Sequence, residues 1–142
     1  MITEKNYIKA DKVEQIHGTH IIKVNNRIIF SKISGACNEY NILEFAKKVE
    51  EIVNDFNGDS FCLLVDFTDI IGGTPEAFNE ANKFNEWLNT QNMIAKAIVA
   101  TSQSFLVVND SRIIAQESQD YKNFYNLEDA QKWLESKIKE AK

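Results

Sequence analysis

Phe61-Cys62-Leu63-Leu64-Val65-Asp66-Phe67, continuing into Thr68-Asp69-Ile70-Ile71-Gly72-Gly73-Thr74-Pro75-Glu76-Ala77, decides how the rest of the chain is read. The apolar run from Phe61 to Val65, with Phe67 beyond the acid, is too short for a typical globular helix and suits a strand covered on both faces. The strand is expected to stop between Asp66 and Asp69. Gly72 and Gly73 allow positive φ and close backbone approach, Thr74 can cap a helix through its hydroxyl, and Pro75 is preset for the first helical position. The stretch therefore predicts a buried central strand, a glycine turn and a helix from Pro75. In open α/β sheets, ligands and partners dock beyond the carboxyl ends of central strands, which makes this loop the leading docking edge.

Upstream, Ile21-Ile22-Lys23-Val24 and Ile28-Ile29-Phe30-Ser31-Lys32-Ile33 are β-branched runs flanking Asn25-Asn26, residues that tolerate the positive φ of a tight turn. They predict a β-hairpin, with Gly35 ending its second strand. Residues 1–12, with Tyr7 and Ile8 as neighbouring apolar residues, read as a strand or a loose segment. Asn41 and Glu44 form a capping-box-like pair ahead of Ile42, Phe45, Ala46, Val49, Ile52, Val53 and Phe56 at helical spacing, and Gly58 closes that first helix.

Downstream, the helix from Pro75 to about Thr90 sets Ala77, Ala81, Phe84 and Leu88 on one stripe, with Phe78 and Trp87 at its flanks. Ile94 to Ala100 reads as a second buried strand, parallel to the first through the intervening helix. Between Ser102 and Ser118, Phe105-Leu106-Val107-Val108 is compatible with a strand. A Ser104 cap with apolar residues at Leu106, Ile113 and Ile114 fits a short helix better. Tyr121 to Tyr125 reads as an edge strand, and Asn126 as the cap of a last helix repeating at Ala130, Trp133, Leu134, Ile138 and Ala141.

A chain of 142 residues without internal repeat or linker predicts one domain, with its core over about 13–141. Its 16 Lys and Arg against 21 Asp and Glu, scattered rather than striped, speak against nucleic acid as a partner. No apolar run reaches the roughly 20 residues of a membrane span, and the start lacks a signal-peptide plan, so a cytoplasmic location is expected. Cys37 and Cys62 have no second thiol at redox or zinc spacing and read as reduced core thiols.

The succession of hairpin, helix, strand, helix, strand, short helix, strand, helix resembles the STAS superfamily, and within it the SpoIIAA-like branch that overlaps the CRAL-TRIO fold. The resemblance covers roughly 20–139. It is carried by Leu64-Val65-Asp66 with Gly72-Gly73-Thr74, by Ala95-Lys96-Ala97-Ile98-Val99, and most by Phe124-Tyr125-Asn126-Leu127-Glu128-Asp129-Ala130-Gln131-Lys132-Trp133-Leu134. It implies a single α/β domain: a mixed sheet with parallel interior strands, an N-terminal hairpin, and helices packed largely on one face. It also implies a non-enzymatic binding or regulatory module. In sporulation-type members a serine or threonine at the start of the second helix is phosphorylated, which breaks the partner complex. Thr74 is the nearest position, although Gly72-Gly73-Thr74-Pro75 replaces the usual Asp-Ser-Ser/Thr-Gly loop, and a structural cap is the preferred reading of it.

The expected docking edge thus comprises Asp69, Gly72, Gly73, Thr74, Glu76 and Phe78, facing a protein partner or a second copy of the chain. The alternative is an apolar pocket beside the second helix, lined by Phe78, Phe84, Trp87, Phe105 and Leu106, that carries a lipid or another apolar small molecule; such a stripe is more often simply core. Asp66, Asp69 and Glu76 are read as solvated loop charges rather than a cation or acid–base cluster. His17 and His20 lack a third metal ligand in sequence, and no nucleophile elbow, phosphate loop or Cys/His pair is present. No metal, cofactor or catalytic residue is nominated.

Overall fold

The hairpin turn falls on Asn26 and Arg27, at φ 49° and 74°, one residue later than Asn25-Asn26. Both central residues adopt the left-handed region that a two-residue turn requires, because its twist then matches that of the strands it joins. The turn connects β2 (Thr19–Asn25) to β3 (Ile28–Cys37), paired antiparallel from Asn25↔Ile28 to Thr19↔Ser34. A computed structural model, the structure describes residues 8–9 and 18–141. The backbone of β1 (Ile8–Lys9) pairs antiparallel with β2 through Ile8↔Ile22. The rest of the 1–12 reading, the start of the expected core at 13–17 and His17 lie outside the described residues.

Gly35 does not end β3. At φ 83° it sits at a register shift between Gly35 and Ala36, and the strand runs on to Cys37. The shift places one extra residue, Ile71, on the facing chain, and one long strand serves two parallel partners. Its first half pairs with β4 (Phe61–Asp66) and its last three residues with β5 (Ile70–Gly73). Gly72 and Gly73 are therefore strand residues and not a positive-φ turn; Gly35 and Gly58 are the glycines at positive φ among the described residues.

Every residue of β4 is buried, as a strand covered on both faces requires. On its other side β6 (Met93–Val99) runs parallel, then β7 (Tyr121–Phe124) parallel at the edge, so the order is β1-β2-β3-β4-β6-β7 with β5 extending from β3. The alternation of strand side chains divides the core. Ile29, Ile33, Phe61, Leu63 and Val65 meet Phe45 and Val49 of α1 (Glu39–Asp55) and Phe84 and Leu88 of α2 (Pro75–Leu88). Ile28, Cys62, Leu64, Ala95, Ala97 and Val99 meet Ala130 and Leu134 of α4 (Leu127–Glu140). Leu106 of α3 (Gln103–Arg112) packs on Ile98, from the same face of β6 as Lys96. Three helices thus cover one face and α4 the other.

Two caps are displaced from their expected positions. Asn38, not Asn41, caps α1: its side chain accepts from the amides of Tyr40 and Asn41, and Asn41 Oδ1 accepts the Asn38 N–H at 2.6 Å. Glu44 has no part in this box. Ser102, not Ser104, caps α3 by accepting the Phe105 N–H at 3.1 Å. A 3₁₀ turn, Ile114–Ser118, follows α3; Ile113 is buried, whereas Ile114 is 64% exposed. Asn126 caps α4 through the Asp129 N–H at 2.8 Å, and Thr74 caps α2. Cys37 and Cys62 are free and buried, and burial pushes both thiols up to about 11.

Candidate functional site at the start of α2

Beyond β4 the chain turns on Asp66, whose Oδ1 accepts the Thr68 N–H at 2.8 Å. Asp66 is buried, so the expected solvated loop charge is instead part of the turn that redirects the strand. The Phe67 N–H donates to Val99 O at 2.7 Å and the Ile70 N–H to Phe67 O at 3.1 Å. β5 then returns the backbone to β3, where the Gly35 N–H donates to Asp69 O and the Thr74 N–H to Cys37 O, each at 3.0 Å. These bonds hold both ends of the loop to the sheet. Exposed Asp69 reaches Lys32 Nζ at 2.7 Å, and this bond, with the Asp69 and Asp66 charges, raises the lysine against an opposing desolvation.

Thr74 Oγ1 accepts the Ala77 N–H at 3.1 Å, and the exposed Glu76 adds a negative charge to the first turn of α2. Phe78 is half-buried. Its ring lies 6.4 Å from that of Phe105 and 5.8 Å from the Arg112 guanidinium, so α2 and α3 are joined there by a ring contact and a cation–π contact. A Cβ on Gly73 would stand 3.4 Å from the Phe78 ring; the absence of a side chain lets that ring lie against β5. Ile71, two residues before, is 82% exposed. The sequence-nominated edge residues Gly72, Gly73, Thr74, Glu76 and Phe78 are contiguous on this rim, and Asp69 stands beside it on Lys32.

The aromatic set is divided. Phe78 and Phe105 line a cavity of about 40 Å³ with Gly72, Gly73 and Ala77. Phe84 stacks on Trp87 with centroids 5.9 Å apart and meets Phe45 edge-on at 5.4 Å, in the α1–α2 core. Leu106 is buried with Ile98 and Ala100. These five residues do not surround one pocket.

A second group escaped the sequence reading. Lys96, Asn85, Asn109 and Gln116 are buried polar residues around a cavity of about 50 Å³ between the sheet and α2. Its signal was a lysine in mid-strand, at an inward position of Ile94-Ala95-Lys96-Ala97-Ile98. His20 is likewise buried, edge-on to Phe45 at 5.9 Å. Among the described residues no three His, Cys, Asp or Glu side chains are grouped to hold a metal, and no helix is long and apolar enough to cross a membrane.

Known proteins bear on this architecture in three ways. A search of curated proteins returns no significant match. Among solved structures, an uncharacterized protein of the DUF3478 family with a SpoIIAA-like fold, from Shewanella loihica PV-4, superposes with a TM-score of 0.63. It is 16% identical, over 88% of this chain and 99% of that one. An anti-sigma factor antagonist from Mycobacterium paratuberculosis superposes with a TM-score of 0.59 at 10% identity, over 95% of this chain and 99% of that one. At these identities the likeness is one of fold. A family model, SpoIIAA-like, matches residues 28–135, a span from the second hairpin strand into α4. By that match, and with the same fold seen in the superpositions, the chain belongs to the SpoIIAA-like family.

Proposed function

We propose that this domain is a non-enzymatic regulatory module that binds a protein partner, or a second copy of itself, through the rim from Gly72 to Phe78. The observation that carries this reading is the half-buried Phe78 ring, supported by Phe105 and Arg112 and bordered by exposed Thr74 and Glu76. An aromatic anchor held in place by its neighbours, with a polar rim around it, is the usual composition of an interaction hot spot. One structural neighbour is an anti-sigma factor antagonist, which supports a role exercised on another protein. The cavity behind Phe78 measures about 40 Å³, far below the roughly 300 Å³ at which ligand pockets begin, so the outer surface is favoured over a lipid-carrying interior. Thr74 serves here as the cap that fixes the rim.

The test compares wild-type protein with Phe78→Ala and Thr74→Asp in quantitative pull-downs from host extract, alongside native mass spectrometry of each purified form. A partner recovered at least about ten-fold less with Phe78→Ala, or a dimer lost with it, is the expected result. Unchanged recovery and unchanged subunit count in both variants would remove the function from this edge.

A further inference from the structure

Lys96 is 3% exposed, and its Nζ donates to Asn85 Oδ1. The Tyr121 ring centroid lies 6.0 Å away. Among the described residues no carboxylate comes within ion-pair distance of it; the lysines paired in that way are Lys32, Lys83, Lys132 and Lys137. Asp110, the acid whose charge reaches it, is engaged by Gln116 Nε2 at 3.4 Å and by Asn123 Nδ2 at 3.3 Å. Burial lowers the Lys96 ammonium to about 7 against the pull of Asp110, so near neutrality a large share of the side chain is free amine. A desolvated amine of this kind is a nucleophile.

The amine borders open space. The cavity of about 50 Å³ has Asn85, Lys96, Asn109 and Gln116 as its polar lining, and apolar walls that include Phe45 and Leu63. It shares Ile42, Phe67, Ala81 and Asn109 with the smaller cavity behind Phe78 and Phe105, which adjoins the surface at Gly72 and Gly73. A cavity of about 150 Å³ accommodates benzene with its six non-hydrogen atoms, so this one, a third of that size, suits a guest of about two. A carboxylate guest would bring a second charge into an apolar interior, at a desolvation cost that its attraction to the ammonium seldom exceeds. A neutral carbonyl carries no such cost and has a polar oxygen for the amides.

We propose that Lys96 is a carbonyl-capturing amine: a one-carbon aldehyde, with two non-hydrogen atoms, enters past Phe78 and Phe105 and forms a Schiff base on Nζ. The Nζ lone pair attacks the carbonyl carbon, a C–N bond forms, and the C=O π pair moves to oxygen, which takes up a proton. Asn109, present in both cavities, offers its amide to that oxygen. The resulting carbinolamine loses the remaining nitrogen proton and its hydroxyl as water, leaving C=N. Neither oxidant nor reductant takes part. The capture is independent of partner docking at the rim, although it uses the same opening.

The experiment treats the full chain at pH 7 with sub-saturating formaldehyde, reduces with sodium borohydride, and maps N-methyl-lysine by peptide mass spectrometry in native buffer and in urea. At pH 7 an exposed lysine is about 0.1% neutral or less, so native modification of Lys96 is expected to exceed that of Lys83 and Lys132 at least ten-fold. In urea that preference is expected to vanish. Modification of Lys83 and Lys132 in native buffer with Lys96 untouched, or Lys96 modified only in urea, would overturn the assignment. A Lys96→Met protein that retains wild-type circular dichroism should lose the adduct on the peptide carrying position 96 and keep those on the other amines.

Discussion

His20 carries an imidazole whose Nε2 has no hydrogen-bond partner among the described residues, in a site 3% exposed against Phe45. Desolvation first, and the Lys48 charge second, lower it from 6.5 to about 4. Between those two values the unfolded chain binds a proton that the folded chain refuses, so stability rises with pH through the window and falls on acidification. Urea midpoints are expected to drop between pH 7 and pH 4.5 by the equivalent of up to about 3 kcal/mol, and His20→Leu should flatten that slope. Lys96 acts in the same sense at higher pH. Its folded value near 7 lies below its unfolded 10.5, so the unfolded chain again holds more protons and stability should climb from pH 7 towards 10. Lys96→Met is expected to abolish that climb without loss of stability at pH 7, because Asn85 Oδ1 keeps the Gln119 Nε2 donor at 3.1 Å. A wild-type curve flat above pH 7 would show that Lys96 stays charged when folded.

The helix caps differ in what lies behind them. Thr74 is exposed and satisfies one amide at the start of α2, so Thr74→Ala should cost about 1 kcal/mol, while Thr74→Asp keeps an acceptor at the positive helix end and should cost less. Asn41 is buried, accepts the Asn38 N–H, and donates Nδ2 to Gly18 O at 3.1 Å, which ties α1 to the start of β2. Asn41→Ala strands both groups and is expected to cost about 2–4 kcal/mol by chemical denaturation, clearly more than Thr74→Ala. Equal losses would show that the Gly18 contact contributes nothing. The helices α1, α2 and α4 were legible from their apolar repeats, and Thr74-Pro75 and Asn126 marked the starts of α2 and α4 correctly. Asn38 and Ser102 were missed because more than one capping residue stood near each start. Which of them caps is settled by where the preceding strand delivers the chain.

At the scale of the molecule, α4 is the one helix among the described residues that covers the face formed by Cys62, Leu64, Ala95, Ala97 and Val99, so few described side chains can close over a gap there. Leu134 is fully buried on that face, and Leu134→Ala is expected to cost about 3–5 kcal/mol by urea denaturation, the upper part of the range for such truncations. A cost below 2 kcal/mol would mean that α4 resettles on the two alanines. By itself the sequence determined the α/β class, the hairpin, the buried central strand and the capped α2. Each of these rests on periodicity, turn chemistry or capping within a few residues of chain. Tertiary structure decided the rest: that Gly72-Gly73 pairs as a strand on β3 beyond Gly35, that Asp66 is buried in its turn, and that Phe78 and Phe84 belong to different cavities. Tertiary structure also brought Lys96, Asn85, Asn109 and Gln116 together, from a strand, two helices and a 3₁₀ turn. Those outcomes depend on which strands become neighbours and on how much surface the finished sheet removes from water, and neither is encoded within a local stretch of chain.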